Sequence, residues 1–385
     1  DSLLKIFFAK EIITLNSNND SVEAVAVQGS KILNIGSKEN LILAYPNATL
    51  ISSFSDAIIV PGFIEHHIHP FLAAVTMNSE IIAIEDWHLP LKTSKGVRNR
   101  SSYISKLSEV ENNHPANQPL VSWGFHHYFH GRLTKHDLDR ISSTRPIVVI
   151  HRSFHEFILN TPAMRLLGIT KNAFTDLGAD APLANFNDGH FSERGAILVL
   201  PNLMQILAKP SKLINGLQKT KNYLHSNGIT VIGNPGSMHS KELQAAKNYT
   251  FGNIDSPFES YFFPSALNLS EKFRSNEILD AATEQISWGT GKLNYLPKHI
   301  KLFTDGAMYS QNMVMRDGYL DNHQGSWLMD LQTYENLFKI FWNDGYQIHI
   351  HQNGDAGLDR LLKTLEKNIK ESPRDDHRTT VVHFG

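Results

Sequence analysis

Beyond residue 213 the chain falls into a regular alternation of two apolar patterns. Amphipathic stretches at 213–226, 240–248, 275–287, 331–343 and 357–368 predict helices. Short apolar runs at 229–233, 260–263, 299–304, 346–351 and 379–383 predict buried strands between them. Strands that alternate with helices imply βα units and a parallel sheet. Upstream the pattern is different. Short strands are predicted at 4–8, 11–15, 22–28, 31–35, 49–52 and 57–60, with turns at Ser17-Asn18-Asn19-Asp20, Gln28-Gly29-Ser30 and Tyr45-Pro46-Asn47. After Pro61-Gly62 an extended run resumes and ends in His67-Ile68-His69. Between these regions, 71–218 is mixed. It holds a helix end or loop at 107–113, strands at 120–124 and 146–151, and helices at 135–141 and 161–167, the last capped by Asn160 or Thr161.

Composition narrows the class without naming it. The chain has 385 residues, 41% hydrophobic and 19% charged, with a net charge of -2. That is long enough for two or three domains. The charge offers no footprint for nucleic acid or an anionic membrane surface. No apolar run approaches the ~20 residues that cross a bilayer, so neither nucleic acid nor membrane is an expected partner. With Cys at 0 there are no disulfides and no thiolate ligands. Any metal is left to His, carboxylate or a modified Lys. Redox arguments leave the compartment undecided, and the expectation leans to the cytoplasm. The chain opens at Asp1, as expected of a cleaved signal peptide or of a trimmed sequence alike.

Ionisable residues gather at the C-terminal ends of the predicted parallel strands. His67 and His69, two apart on an extended segment, point the same way, and such a pair suits a zinc-class ion. Lys301 lies inside the apolar run Ile300-Lys301-Leu302-Phe303, with Asp305 four residues on. His349 and His351 form a second i, i+2 pair, and His383 ends the last strand. A charged Lys is costly to bury, and burial lowers its pKa; a neutral amine takes up CO₂ as a metal-bridging carbamate. Singly, each His also reads as an ordinary structured histidine, and Lys301 as a snorkelling or ion-paired strand residue. Jointly, the same strand end is hit four times. Two further patches, His126-His127-Tyr128-Phe129-His130 and His151-Arg152-Ser153-Phe154-His155, read either as cavity-facing or as hydrogen-bonded core and surface histidines. A rival nucleotide- or phosphate-binding α/β protein would need a glycine-rich loop after an early strand, and Gly236-Ser237-Met238 is a poor match.

The stretch Pro61-Gly62-Phe63-Ile64-Glu65-His66-His67-Ile68-His69 after a β-rich leader resembles the first-strand signature of the amidohydrolase superfamily. More narrowly it resembles the amidohydrolase-3 branch that includes N-substituted formamide deformylases. His299-Ile300-Lys301-Leu302-Phe303-Thr304-Asp305-Gly306-Ala307, the run from Gly345 through His351 to Asp355, Val382-His383, Ser122-Trp123-Gly124 and the run from Arg152 to Thr161 fit that branch too. The resemblance implies a (β/α)8 TIM-type barrel at 61–385, here stopping after strand six, with an insertion at about 71–218. It also implies a β-sandwich part at 1–60. It implies one or two divalent metal ions, usually zinc, held by His67, His69, Lys301 as carbamate, His351 and His383. His155 would bind substrate and Asp305 would orient a ligand or the carbamate. The implied activity is hydrolysis of a C–N bond, amide or N-formyl, by a metal-bound water, on a small-molecule substrate. A homo-oligomer is left open.

Several departures from the branch bear on these expectations. The strand-eight Asp that orients the water would lie beyond Gly385, so the sequence is expected to be a piece of a longer protein. The alternative is a non-catalytic or degenerate metal-binding member of the superfamily. Glu65 stands where Asp is more usual, and His349 where a small residue is usual. Asn234-Pro235-Gly236 offers no obvious ligand.

Overall fold

The computed structural model describes residues 3–90, 92–174 and 183–385. It divides into Asp1–Phe63 and Ile64–Gly385. The first unit is one four-stranded sheet. Leu4–Ile13 pairs antiparallel with Ser21–Gln28 and parallel with Thr49–Ile59, and Lys31–Gly36 adds to the far side of Ser21–Gln28. The runs 4–8 and 11–15 belong to a single strand, as do 49–52 and 57–60. Register shifts between Phe8 and Ile12, and between Phe7, Ala9 and Glu11, break the two-residue alternation, so each strand reads as two. A short helix, Lys38–Ala44, capped by Ser37, closes one face by burying Leu41 against Ile6, Phe8, Ala24 and Ala26.

In the second unit, the region 71–218 builds a six-stranded mixed sheet in the order Ala184–Asn185, His190–Ser192, Glu156–Leu159, Ile147–His151, Leu120–Phe125, Glu80–Ile81. Every residue of Ile147–His151 is buried. Val148 and Ile150 face a core with Val199 and Leu203, while Ile147 and Val149 face Tyr103, Leu107 and Leu138. Two-sided burial is why this strand reads as a continuous apolar run. The helix Arg194–Leu207 was not legible, because Pro201 stands inside it. An interior proline costs a helix about 3 kcal/mol. Burying Ala196, Val199, Leu203 and Ile206 offsets that, since each large apolar side chain contributes roughly 1.5–3 kcal/mol.

The βα region appears where the periodicity put it. Ile229–Ser237, Glu259–Pro264 and Leu293–Tyr295 run parallel, with Phe63–Glu65 at the edge beside Ile229–Ser237. His299–Phe303, Gln347–Gln352 and Thr380–His383 form a second parallel sheet. A parallel bridge between Ser265 and Lys301 links the two sheets, so the strands follow one another in space as in sequence. The strand Leu293–Tyr295 was not anticipated. Helix Leu331–Asn343, capped by Asp330, buries Tyr334, Leu337, Phe338, Phe341 and Trp342. They pack on Ile300, Leu302, Ile348 and Ile350. Strand alternation then forces His299, Lys301, Phe303, His349 and His351 onto the opposite face. No single helix among the described residues is long and apolar enough to cross a membrane.

Asn160 tests how the mixed sheet is held. It is fully buried; its Oδ1 accepts from Ile147 N at 2.9 Å and Ala163 N at 3.0 Å, and its Nδ2 donates to Ser142 O and Arg145 O. Asn160→Ala leaves buried donors and acceptors unpaired, at about 1–3 kcal/mol for a typical group. The expected loss is about 2–4 kcal/mol, read from the urea midpoint.

Candidate metal centre

The strand Phe63–Glu65 ends two residues before His67, so His67 and His69 sit on an extended segment leading into the helix Pro70–Asn78 rather than within a strand. The backbone still behaves as a ladder, because Ile68 N donates to Gly233 O at 2.9 Å. Gly233 permits this approach, since a Cβ there would stand 2.8 Å from His66 O. Glu65 turns back to accept from His67 N at 3.0 Å. With Ile68 held to the neighbouring strand, the rings on either side of it meet, and His67 Nε2 lies 3.3 Å from His69 Nε2. Two nitrogens bonded to one tetrahedral ion at about 2.0–2.1 Å stand roughly 3.3–3.4 Å apart. Asn234 Oδ1, 3.1 Å from His69 Nδ1, accepts its proton and leaves the Nε2 lone pair facing His67. Asn234 therefore does contribute to the site, though not as an obvious ligand.

The other strands bring their residues to the same place. The His383 ring is 5.2 Å from His67 and 4.6 Å from His351, centroid to centroid. Lys301 is 1% exposed, and its Nζ has no hydrogen-bond partner among the described residues. Gly236, at φ +91°, leaves room for its stem, since a Cβ there would come 3.2 Å from Lys301 Cγ. Burial lowers the Lys301 amine to about 7. Burial first, then the neighbouring Lys301, lowers His67 to about 2, His69 to about 4 and His383 to about 4, and burial likewise takes His351 well below its ordinary value. The four imidazoles are thereby neutral bases.

His155 is the exception. Its ring lies 5.6 Å from that of His351, but its Nδ1 is 2.7 Å from Glu193 Oε2. Burial pulls its pKa down, and the Glu193 carboxylate outweighs that and raises it overall. Glu193 is 1% exposed and sits at φ 46°, a conformation a side chain enters only at a cost of about 1–3 kcal/mol. Sequence reasoning passed over Glu193; the charged pair Glu193-Arg194 before an apolar run was its available signal. Asp305 is fully buried, and its carboxylate accepts from Thr304 Oγ1, Asn353 N, Val314 N and Gly354 N. It thus fixes the backbone just after His351. His349 is excluded from the cluster, its Nε2 lying 3.1 Å from His299 Nδ1 beside Phe263. Of the other patches, His130 is a core histidine, its Nε2 2.7 Å from Val97 O and its ring stacked on Tyr103.

The donor set fits a divalent ion of the zinc class. Four neutral imidazoles and a buried amine gather, two of the ring nitrogens already stand at ligand spacing, and the amine has no hydrogen-bond partner among the described residues. The cluster opens on a cavity of ≈ 500 Å³ that His67, His69, His155, His351 and His383 help to line.

Residues 55–384 match the model of the amidohydrolase family. The chain is 24% identical over 374 residues to the exoenzymes regulatory protein AepA of Pectobacterium carotovorum subsp. carotovorum, covering 94% of this chain and 76% of that protein. It is 24% identical over 377 residues to the putative amidohydrolase YtcJ of Bacillus subtilis (strain 168), covering 95% and 66%. A shorter match, 27% over 164 residues, covers 40% of this chain and 28% of the N-substituted formamide deformylase of Arthrobacter pascens. Among solved structures, an uncharacterized metal-dependent hydrolase from Pyrococcus horikoshii OT3 superposes with a TM-score of 0.66 at 15% identity, over 94% of this chain and 68% of that one. The chain thus spans about two thirds to three quarters of the length of AepA and YtcJ. It belongs to the amidohydrolase family, in the amidohydrolase-3 branch.

Proposed function

We propose that the protein is a metal-dependent hydrolase acting on a C–N bond of the amide or N-formyl type. The observation that carries this reading is the gathering of His67, His69, His351 and His383 at a largely apolar cavity, beside a buried Lys301 whose Nζ has no hydrogen-bond partner among the described residues. In this reading the parallel strands belong to a (β/α)8 TIM-type barrel, and the N-terminal sheet to a β-sandwich. Family membership and the likeness to solved metal-dependent hydrolases support it.

His67 and His69 would hold one zinc ion and His351 and His383 a second, with carbamylated Lys301 between them. A bound ion of this class supplies a polarised carbonyl and a coordinated water of lowered pKa. The chain's own residues do the rest. Asn234 keeps the His69 proton on Nδ1 and its lone pair inward. His155, held towards its cationic form by Glu193, presents a buried donor to negative charge developing on the substrate oxygen. Phe71, Phe154, Leu200, Leu213, Met238 and Leu267 line the cavity, exclude water and offer an apolar surface to the substituent on the scissile nitrogen.

Zinc-loaded protein assayed on a panel of N-formyl amines and amino-acid amides is expected to turn over at least one of them, with chelation abolishing the rate. Zinc bound with no turnover across the panel would sink the hydrolase reading and favour a metal-binding member without activity. Lys301→Ala is expected to lower metal content and rate together, with short carboxylic acids restoring part of both. Unchanged stoichiometry and rate would remove Lys301 from the site. Asn234→Ala, which frees the His69 ring, is expected to weaken zinc affinity by about 10–100-fold, as measured by competition with a chromophoric chelator.

A further inference from the structure

A second cluster lies at one end of the central strands of the mixed sheet and takes no part in the centre described above. His127 sits on the short helix His127–His130 that follows Leu120–Phe125, His151 ends Ile147–His151, and Glu156 opens Glu156–Leu159. These strands are neighbours in the sheet, so their ends meet. Ligand atoms of His127, His151 and Glu156 all lie within 4.8 Å of one another. Glu156 Oε1 is 3.7 Å from His127 Nδ1 and 3.8 Å from His151 Nδ1, beyond hydrogen-bond reach of either.

Two buried atoms here have no hydrogen-bond partner among the described residues, Glu156 Oε1 and His151 Nε2. Glu156 is 2% exposed and His151 is 0% exposed. Leaving such groups unpaired costs about 1–3 kcal/mol each, and more for a charged one. Among the described residues, every ion-pair partner of Glu156 is an imidazole, with no Lys or Arg opposite. Burial outweighs the upward pull of the Glu156 carboxylate and holds His151 down at about 3, so it supplies a lone pair rather than a counter-charge. His190 supplies the missing orientation. Its Nε2 lies 2.7 Å from Glu156 Oε2, which fixes the carboxylate with Oε1 turned to the two rings. A ligand carboxylate steadied by a hydrogen bond to its other oxygen is the usual support around a metal.

We propose that His127, His151 and Glu156 bind one divalent ion of the zinc class, distinct from the centre at His67 and His69, with His190 orienting Glu156. Two imidazoles and a carboxylate are a zinc-class ligand set. His151 Nδ1 is taken by Ser153, so the ion falls to its unpartnered Nε2, and the three side chains, whose ligand atoms lie within 4.8 Å of one another, close on it towards the roughly 3.3–3.4 Å of a tetrahedral site. His127, whose side chain is 28% exposed, stands on the solvent side and gives the ion its way in. The role of this ion is structural. His151 and Glu156 bracket the turn 152–155, and His151 Nδ1 already holds Ser153 through its N at 3.2 Å and its Oγ at 2.8 Å. The ion clips this turn to the neighbouring helix, and the turn carries His155 into the cavity. The binding itself does not rest on the hydrolase reading.

The test counts zinc. In a His67→Ala/His69→Ala background, the full chain at micromolar free zinc is expected to retain zinc, and adding Glu156→Gln is expected to lower the stoichiometry by one ion per chain. An unchanged count on adding Glu156→Gln would overturn the proposal. Should those variants fail to fold, crystals of the unaltered protein grown with micromolar zinc give a second reading. An anomalous peak within about 2.0–2.3 Å of His127, His151 and Glu156 supports the site. No peak there, or one that appears only at millimolar zinc, overturns it. Loss of turnover by itself decides nothing about this site, so failure here and failure of the hydrolase assignment are separable.

Discussion

The second unit's site answers to one constraint: nitrogen bases are gathered at one cavity where no carboxylate is paired with Lys301 among the described residues. Burial is the first cause of the lowered pKa of Lys301 and of His67, His69, His351 and His383, and Lys301 depresses the four imidazoles further. Such a cluster is unfavourable as cations and incomplete as neutral bases, because buried lone pairs and N–H groups lose water without regaining partners. The compensation comes from the other side of the same strands. Ile300, Leu302, Ile348 and Ile350 pack against Phe338, Phe341 and Trp342, and those fully buried side chains hold the strand direction that points the bases inward.

What was legible in the sequence is what rests on local periodicity. Helix Leu331–Asn343 was readable to the residue, because its apolar spacing runs unbroken from end to end. The parallel strands after residue 229, Leu293–Tyr295 excepted, were readable because two-sided burial makes them short apolar runs. Bulged strands were not, since a register shift erases the alternation. Nor was Arg194–Leu207, where a local rule about Pro201 lost to tertiary burial. At the site, the histidines and Lys301 could be found because strand ends repeat a pattern. Asn234 and Glu193 could not, because each acts on a partner far off in sequence. Asn234 meets His69 across 165 positions and Glu193 meets His155 across 38.

The histidines divide by their partners rather than by their neighbours in sequence. His69 faces an amide oxygen and is a neutral base, whereas His155 faces a carboxylate and is drawn towards the cation, although both are half-buried. His349, two residues from His351 and on the same strand face, pairs with His299 a layer below and leaves the cavity to others. Residue type and spacing mark candidates; the atom opposite each ring decides what it does.

The segment Asp305-Gly306-Ala307 shows how the two halves of the second unit are kept in step. Asp305 holds the amides of Asn353 and Gly354, which fixes the backbone leaving His351. Gly306 O accepts from Asn353 Nδ2, whose other contact is His351 Nε2 at 3.0 Å. Ala307 N donates to Glu193 Oε1 at 3.2 Å, while the other oxygen of that carboxylate holds His155. A side chain at Gly306 would meet Glu193 Oε1 at 2.7 Å, so only glycine lets the two elements close to this distance. Ser153 Oγ, 2.9 Å from Ser310 Oγ, ties the His155 turn to the same loop. One short loop therefore sets His351 from the parallel strands and His155 from the mixed sheet against a shared reference. The long region 71–218 is for that reason part of the site's geometry, and a shift in its sheet moves His155 relative to His67, His69, His351 and His383.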